Sequence, residues 1–189
     1  MKTNPGNFST TIKSTTETAF QRAIFLKNPS FVEGETIDWL DIELPVDLVR
    51  KSRRKSLDLL GVSDSGYVIC ELKFGEKSST DRPEKAAKEV LCYKKFIEDN
   101  YKELDAENNV HHKNGKPFLW SDVAQNSRCI VAANEAYWDY WLNQRGLSLP
   151  IGVKCYSLDV DVDCFKLQKG ALEAYEPTLP DCNWTLITQ

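Results

Sequence analysis

The chain has 189 residues, 24 Lys+Arg against 28 Asp+Glu for a net charge of −4, and an apolar share of 41%. Such a length and composition fit one domain with a sizeable core and exclude global disorder, while the acidic total excludes a protein coated in positive charge. The longest uninterrupted apolar run, Cys129 to Ala133, is far short of the ~18 residues a bilayer crossing needs. The N-terminal stretch has no apolar h-region, so a cytoplasmic protein with no membrane partner is expected.

Thr15 or Thr16 caps a first helix with Glu17 in its first turn, and Ala19, Phe20, Ala23 and Ile24 follow at helical spacing before Asn28-Pro29 stops it. Residues 31–49 mix apolar and acidic side chains and are broken by Gly34 and Pro45, which reads as a connection containing one short strand. Five basic residues in six then follow: Arg50, Lys51, Arg53, Arg54 and Lys55. Runs of this kind are often solvated loops, but in an acidic chain this one concentrates positive charge on one segment.

Ser56 to Val62 and Tyr67 to Phe74 are apolar-rich runs separated by Ser63-Asp64-Ser65-Gly66, the pattern of a β-hairpin. After a polar loop, Asp81 caps a long helix with Pro83 in its first turn and a core stripe of Ala86, Ala87, Val90, Leu91 and Ile97, ending near Asn100. Residues 101–126 are polar and read as a loop or insertion that carries His111-His112. A buried strand spans Arg128 to Ala133. Asn134 caps a helix through Trp138 and Trp141 to Gly146, Ile151 to Leu158 is a further strand, and Cys164 to Leu167 is read as an edge strand. The six cysteines show no CxxC or Cys/His clustering and read as free thiols rather than a disulfide framework or zinc site.

Within the hairpin, Tyr67, Ile69, Glu71 and Lys73 share one face of their strand. A two-residue turn at Asp64-Ser65 sets Asp58 opposite Glu71, a turn at Ser65-Gly66 sets it opposite Lys73, and a three-residue loop would send it to the other face. Two carboxylates and an ammonium among Leu, Val, Ile and Cys cost free energy unless they are paired or bound to metal. Adjacent hard oxygens suit Mg²⁺ or Mn²⁺. The bland alternative is a cross-strand Asp58–Lys73 ion pair on an exposed face.

Asp58, then Glu71-Leu72-Lys73 on the partner strand, an upstream helix bearing Glu17 and a long downstream helix together resemble the PD-(D/E)XK nuclease superfamily. The stretch RRKSLDLLGVSDSGYVICELKFG is similar in particular to its RecB-like and NucS-like endonuclease branches. The resemblance covers about residues 15–100 and, more loosely, the two strands that follow. It implies an α/β fold with a restriction-endonuclease-like central mixed sheet flanked by helices, in a single domain with its core at about 15–160. The implied activity is that of a metal-dependent nuclease hydrolysing phosphodiester bonds in DNA. Asp58, Glu71, the Leu72 carbonyl and Glu17 would hold Mg²⁺ (or Mn²⁺), with Lys73 orienting or activating the attacking water. Glu33 and Glu35 are rivals for the place of Glu17.

Glu89 and Tyr93 match the positions where RecB-like members carry Gln and Tyr, and Leu57 stands where the Pro that names the superfamily would be. Arg50, Lys51, Arg53, Arg54, Lys55, Lys85 and Lys88 would contact DNA backbone phosphates. The oligomeric state stays open, a homodimer included. One alternative is a catalytically silent nuclease-like module that binds nucleic acid or protein. Another is an unrelated interaction domain using Trp138, Tyr140 and Trp141, side chains that on a helix more often pack than stack on bases.

Overall fold

A computed structural model describes residues 16–45, 56–75, 81–106, 118–165 and 175–188. The basic strip Arg50, Lys51, Arg53, Arg54 and Lys55, and His111-His112, lie outside the described residues. Helix α1 (Thr16–Leu26) follows the expected spacing, with Ala19, Phe20, Ala23 and Ile24 all buried. Strands β1 (Ser30–Val32) and β2 (Glu35–Pro45) then form a hairpin where a connection was expected. Its turn residues Glu33 and Gly34 have φ of 49° and 84°, the left-handed pair that a tight two-residue hairpin demands. A register shift between Trp39 and Asp41 interrupts the alternation along β2, which explains why its sequence does not read as one long strand.

Strands β3 (Ser56–Ser63) and β4 (Gly66–Lys73) pair with Ser63 opposite Gly66 and Leu59 opposite Cys70, so the turn is Asp64-Ser65. Helix α2 (Pro83–Ala106) places Pro83 first, where its missing N–H costs nothing, and runs six residues past the expected end because no breaker intervenes. The segment expected as a loop also contains α3 (Trp120–Gln125), whose first N–H groups, those of Trp120 and Ser121, donate to the Asp105 carboxylate at 2.6 and 3.1 Å. Strand β5 (Ser127–Asn134) is where expected. The helix after it is a short α4 (Glu135–Trp138) continued by a π-helical turn, Asp139–Gln144. Strand β6 is confined to Lys154–Leu158, Ile151 being almost fully exposed. Of the expected edge strand Cys164 to Leu167, Cys164 and Phe165 belong instead to a 3₁₀ turn, Val162–Phe165, and residues 166–167 lie outside the described residues.

The sheet does not have the open form that the nuclease resemblance implies. Strands β4, β5 and β6 run parallel, and β7 (Trp184–Leu186) adds antiparallel to β6. β7 also meets β1 through Val32 opposite Trp184, which closes a seven-stranded barrel in the order β1 to β7. The restriction-endonuclease-like architecture, and with it the assignment to the PD-(D/E)XK superfamily, is therefore corrected. The two strands that make the closure, β1 and β7, have three residues each and carry no periodic pattern of their own. Among the described residues, no helix is long and apolar enough to cross a membrane.

Two apolar clusters flank the strands. One gathers α1 with Ile37, Trp39, Leu59, Cys70, Leu72, Ala132 and Tyr156. The other gathers α2, α3 and α4 against Leu57, Leu60, Ile69, Val131 and Ala133. Gly61 sits under the first cluster: a Cβ there would lie 2.7 Å from Ile37 Cγ2 and 2.8 Å from Trp39 Cε3, both in fully buried side chains. Gly61→Ala is expected to destabilise by about 1–3 kcal/mol, read as a lower urea midpoint at unchanged slope.

Candidate acid–lysine site

At the end of the β3–β4 hairpin away from its turn, four carboxyls and one ammonium gather. Lys73 Nζ donates to Glu71 Oε1 at 2.6 Å and lies 3.9 Å from Glu89 Oε2, and Lys73 and Glu71 are buried. The Asp64-Ser65 turn is the register that sets Asp58 opposite Glu71, and the ladder itself stops one pair earlier, at Leu59 and Cys70. Freed from pairing, the Asp58 carboxylate folds back onto the sheet. Its Oδ2 accepts the Leu72 N–H at 2.8 Å and its Oδ1 accepts the Gln21 amide at 3.2 Å. Glu17, exposed at its outer side, accepts the Phe74 N–H and lies within the field of Lys73. Tyr93, one helical turn beyond Glu89, is buried against the group.

These contacts shift the titrations. Burial pushes Asp58 up to about 7 against the opposing pull of Lys73 and the Leu72 N–H. Burial and then the Asp58 charge push Glu71 up to about 9. Burial also raises Glu17, with Lys73 opposing. Lys73 itself is pulled down by burial, but Glu71, Glu17 and Asp58 outweigh that, so it holds its proton more firmly than a free lysine. The physical content is one ammonium surrounded by carboxyls that cannot all ionise cheaply, so Glu71 keeps its proton at neutral pH and Asp58 titrates there.

The expected metal centre is not formed. Among the described residues, no three His, Cys, Asp or Glu side chains come together as a metal-binding set. Both Asp58 oxygens and Glu71 Oε1 are committed to hydrogen bonds, and Leu72 takes part through its N–H. The donor set therefore does not fit Mg²⁺ or Mn²⁺, which need several free oxygens converging on one point. With neither the open sheet nor the metal set present, the expectation of a metal-dependent DNA nuclease, a phosphodiester hydrolase, is overturned. The silent nuclease-like alternative loses its scaffold for the same reason.

Of the rivals to Glu17, Glu33 binds Lys154 at 2.8 Å and the Tyr156 hydroxyl, and Glu35 binds Arg128 at 2.7 Å together with Ser63 and Ser65. Both are tied into other parts of the barrel. Lys85 pairs with Asp81 at 2.8 Å and Lys88 is exposed. Trp138 and Trp141 are buried, Trp138 donating from Nε1 to the Tyr156 carbonyl at 2.9 Å, so neither offers an open ring face as expected of a stacking platform. Gln21 was not foreseen. It stands four residues after Glu17 on the same helical face, and that spacing was the available signal.

Among the described residues, Glu71 Oε2 is buried with no hydrogen-bond partner. An orphaned buried carboxylate oxygen costs about 1–3 kcal/mol, a cost that packing alone does not explain. No family model matches this chain, nor does any curated protein or solved structure.

Proposed function

We propose that the protein binds nucleic acid, DNA first, and that Asp58 and Glu71, held around the Lys73 ammonium, form a proton-exchanging centre beside the bound strand. The observation that carries this reading is the buried Lys73–Glu71 pair with Glu71 Oε2 left unpartnered. Strand interiors seldom retain such a group without a use for it, and carboxyls shifted into the neutral range are suited to giving and taking protons. The basic strip from Arg50 to Lys55 and exposed Lys88 supply the charge that attracts a polyanion.

The test is fluorescence anisotropy with labelled single- and double-stranded DNA at fixed salt across pH 6 to 8, for wild type, Glu71→Gln and Asp58→Asn. A phosphate backbone brought beside the cluster favours the protonated carboxyls, so wild-type affinity is expected to weaken as pH rises, by up to about tenfold per pH unit for one linked proton. Both variants should flatten that dependence. Absence of binding at low salt, or binding that ignores pH in wild type, overturns the reading. A rise in melting temperature with Mg²⁺ that Asp58→Asn removes would overturn it in favour of a metal.

A further inference from the structure

Beside the acid–lysine cluster lies a groove of about 830 Å³ between the start of α2 and the π-helical turn, lined by Asp81, Arg82, Glu84, Lys85, Tyr140, Trp141 and Arg145. Its two sides are built differently. From the α2 side, Arg82 extends its guanidinium over the Trp141 ring, 5.9 Å from the centroid. From the other side come the half-buried Tyr140, whose ring meets Trp141 edge to face at 4.9 Å, and the exposed Arg145. Trp141 is a buried floor, while Tyr140 keeps part of its surface.

The charges of this groove select what it can take. Lys85 and Asp81 neutralise each other at 2.8 Å. Arg82, Arg145 and Glu84 remain, and the three cations of the lining against its two carboxylates leave one net positive charge. One positive charge matches a single phosphodiester and offsets about half the charge of a monophosphate, whereas a triphosphate would leave most of its charge unmatched and crowd Glu84. Guanidinium planes and a tyrosine ring are also the groups on which a base stacks without regard to its identity.

We infer that this groove binds one nucleotide unit, its phosphate between Arg82 and Arg145 and its base against Tyr140. The proposal rests on the nucleic-acid reading above and gives it an address. The groove also adjoins the proton-exchanging centre: the Lys85 ammonium lies within the fields of Glu89 and Lys73, and Asp81 within that of Glu17. A phosphate seated there would feel the cluster directly. The unit could come from a strand or from a free mononucleotide, and the two sources share this chemistry.

The experiment uses the full chain with labelled oligothymidylate, competed by adenosine monophosphate and by inorganic phosphate, in wild type, Arg82→Ala, Arg145→Ala and Tyr140→Ala. Each arginine variant is expected to weaken strand binding about tenfold, and Tyr140→Ala about fivefold, with circular dichroism unchanged. Competition by adenosine monophosphate well beyond that of phosphate supports the proposal, and comparing its affinity with that of the strand identifies the source. Phosphate competing as well as the nucleotide overturns the base contact. Strand binding that is intact in all three variants overturns the groove while leaving the nucleic-acid reading standing. Absence of any binding in wild type overturns both.

Discussion

Lys73→Met is expected to lower stability by about 1–3 kcal/mol, because it leaves the buried Glu71 carboxyl without the ammonium that donates to it. For a chain of this size that is roughly 2–12 °C in melting temperature. The loss is large because Glu71 already has one oxygen without a partner and would then have two. Glu71→Leu combined with Lys73→Met removes the carboxyl and the ammonium together, and it should regain most of the loss, since apolar residues of similar volume replace a buried polar pair at little or no cost. Thermal and urea denaturation of the single and double variants checks this. A Lys73→Met protein within about 1 kcal/mol of wild type would mean that the pair is hydrated and not buried as described.

Stability is also expected to fall as pH rises from about 5 to about 9, contrary to the rise usual on leaving acid conditions. Asp58 and Glu71 have folded-state pKa values above their unfolded ones, so the folded protein holds more protons in that window. Their stabilising contribution is complete below the unfolded values and is lost as pH climbs through about 7 and then about 9. Carboxyls lowered by partners, Glu33 and Glu35 among them, act with the opposite sign but only on the acid side, below their ordinary range. Lys73, raised, keeps its contribution until above the ordinary lysine range. The fall is read as a melting temperature that declines steadily across this window. Glu71→Gln should flatten the upper half of the slope. Melting curves at several pH values check both statements, and a flat wild-type profile would count against the shifted carboxyls.

The residues that make this cluster were legible because charges in an otherwise apolar strand stand out, and because alternation fixes which of them share a face. Asp58 came with them once the turn was Asp64-Ser65. The hairpin, α1 and β5 were legible for the same reason: a single period runs through each. Closure of the barrel was not legible. β2 hides its alternation behind the shift at Trp39 and Asp41, and β7 is too short to have a period. A metal set and a hydrogen-bonded set draw on the same residue types, Asp, Glu and Lys. The difference lies in the Gln21 amide and the Leu72 N–H, one a helix side chain and the other a backbone group that no side-chain motif encodes.

The seam of the barrel is a single residue pair, Val32 with Trp184, whereas β4 and β5 share seven. Resistance to opening is therefore uneven around the ring. Amide protons of β7 and β1 should exchange with solvent at far lower free energy than those of β4 and β5, which separate only on global unfolding. The acid–lysine cluster stands on β4, on the side of the ring held most firmly. Breathing at the seam can thus expose the strand edges of β1 and β7 without loosening the geometry around Glu71 and Lys73.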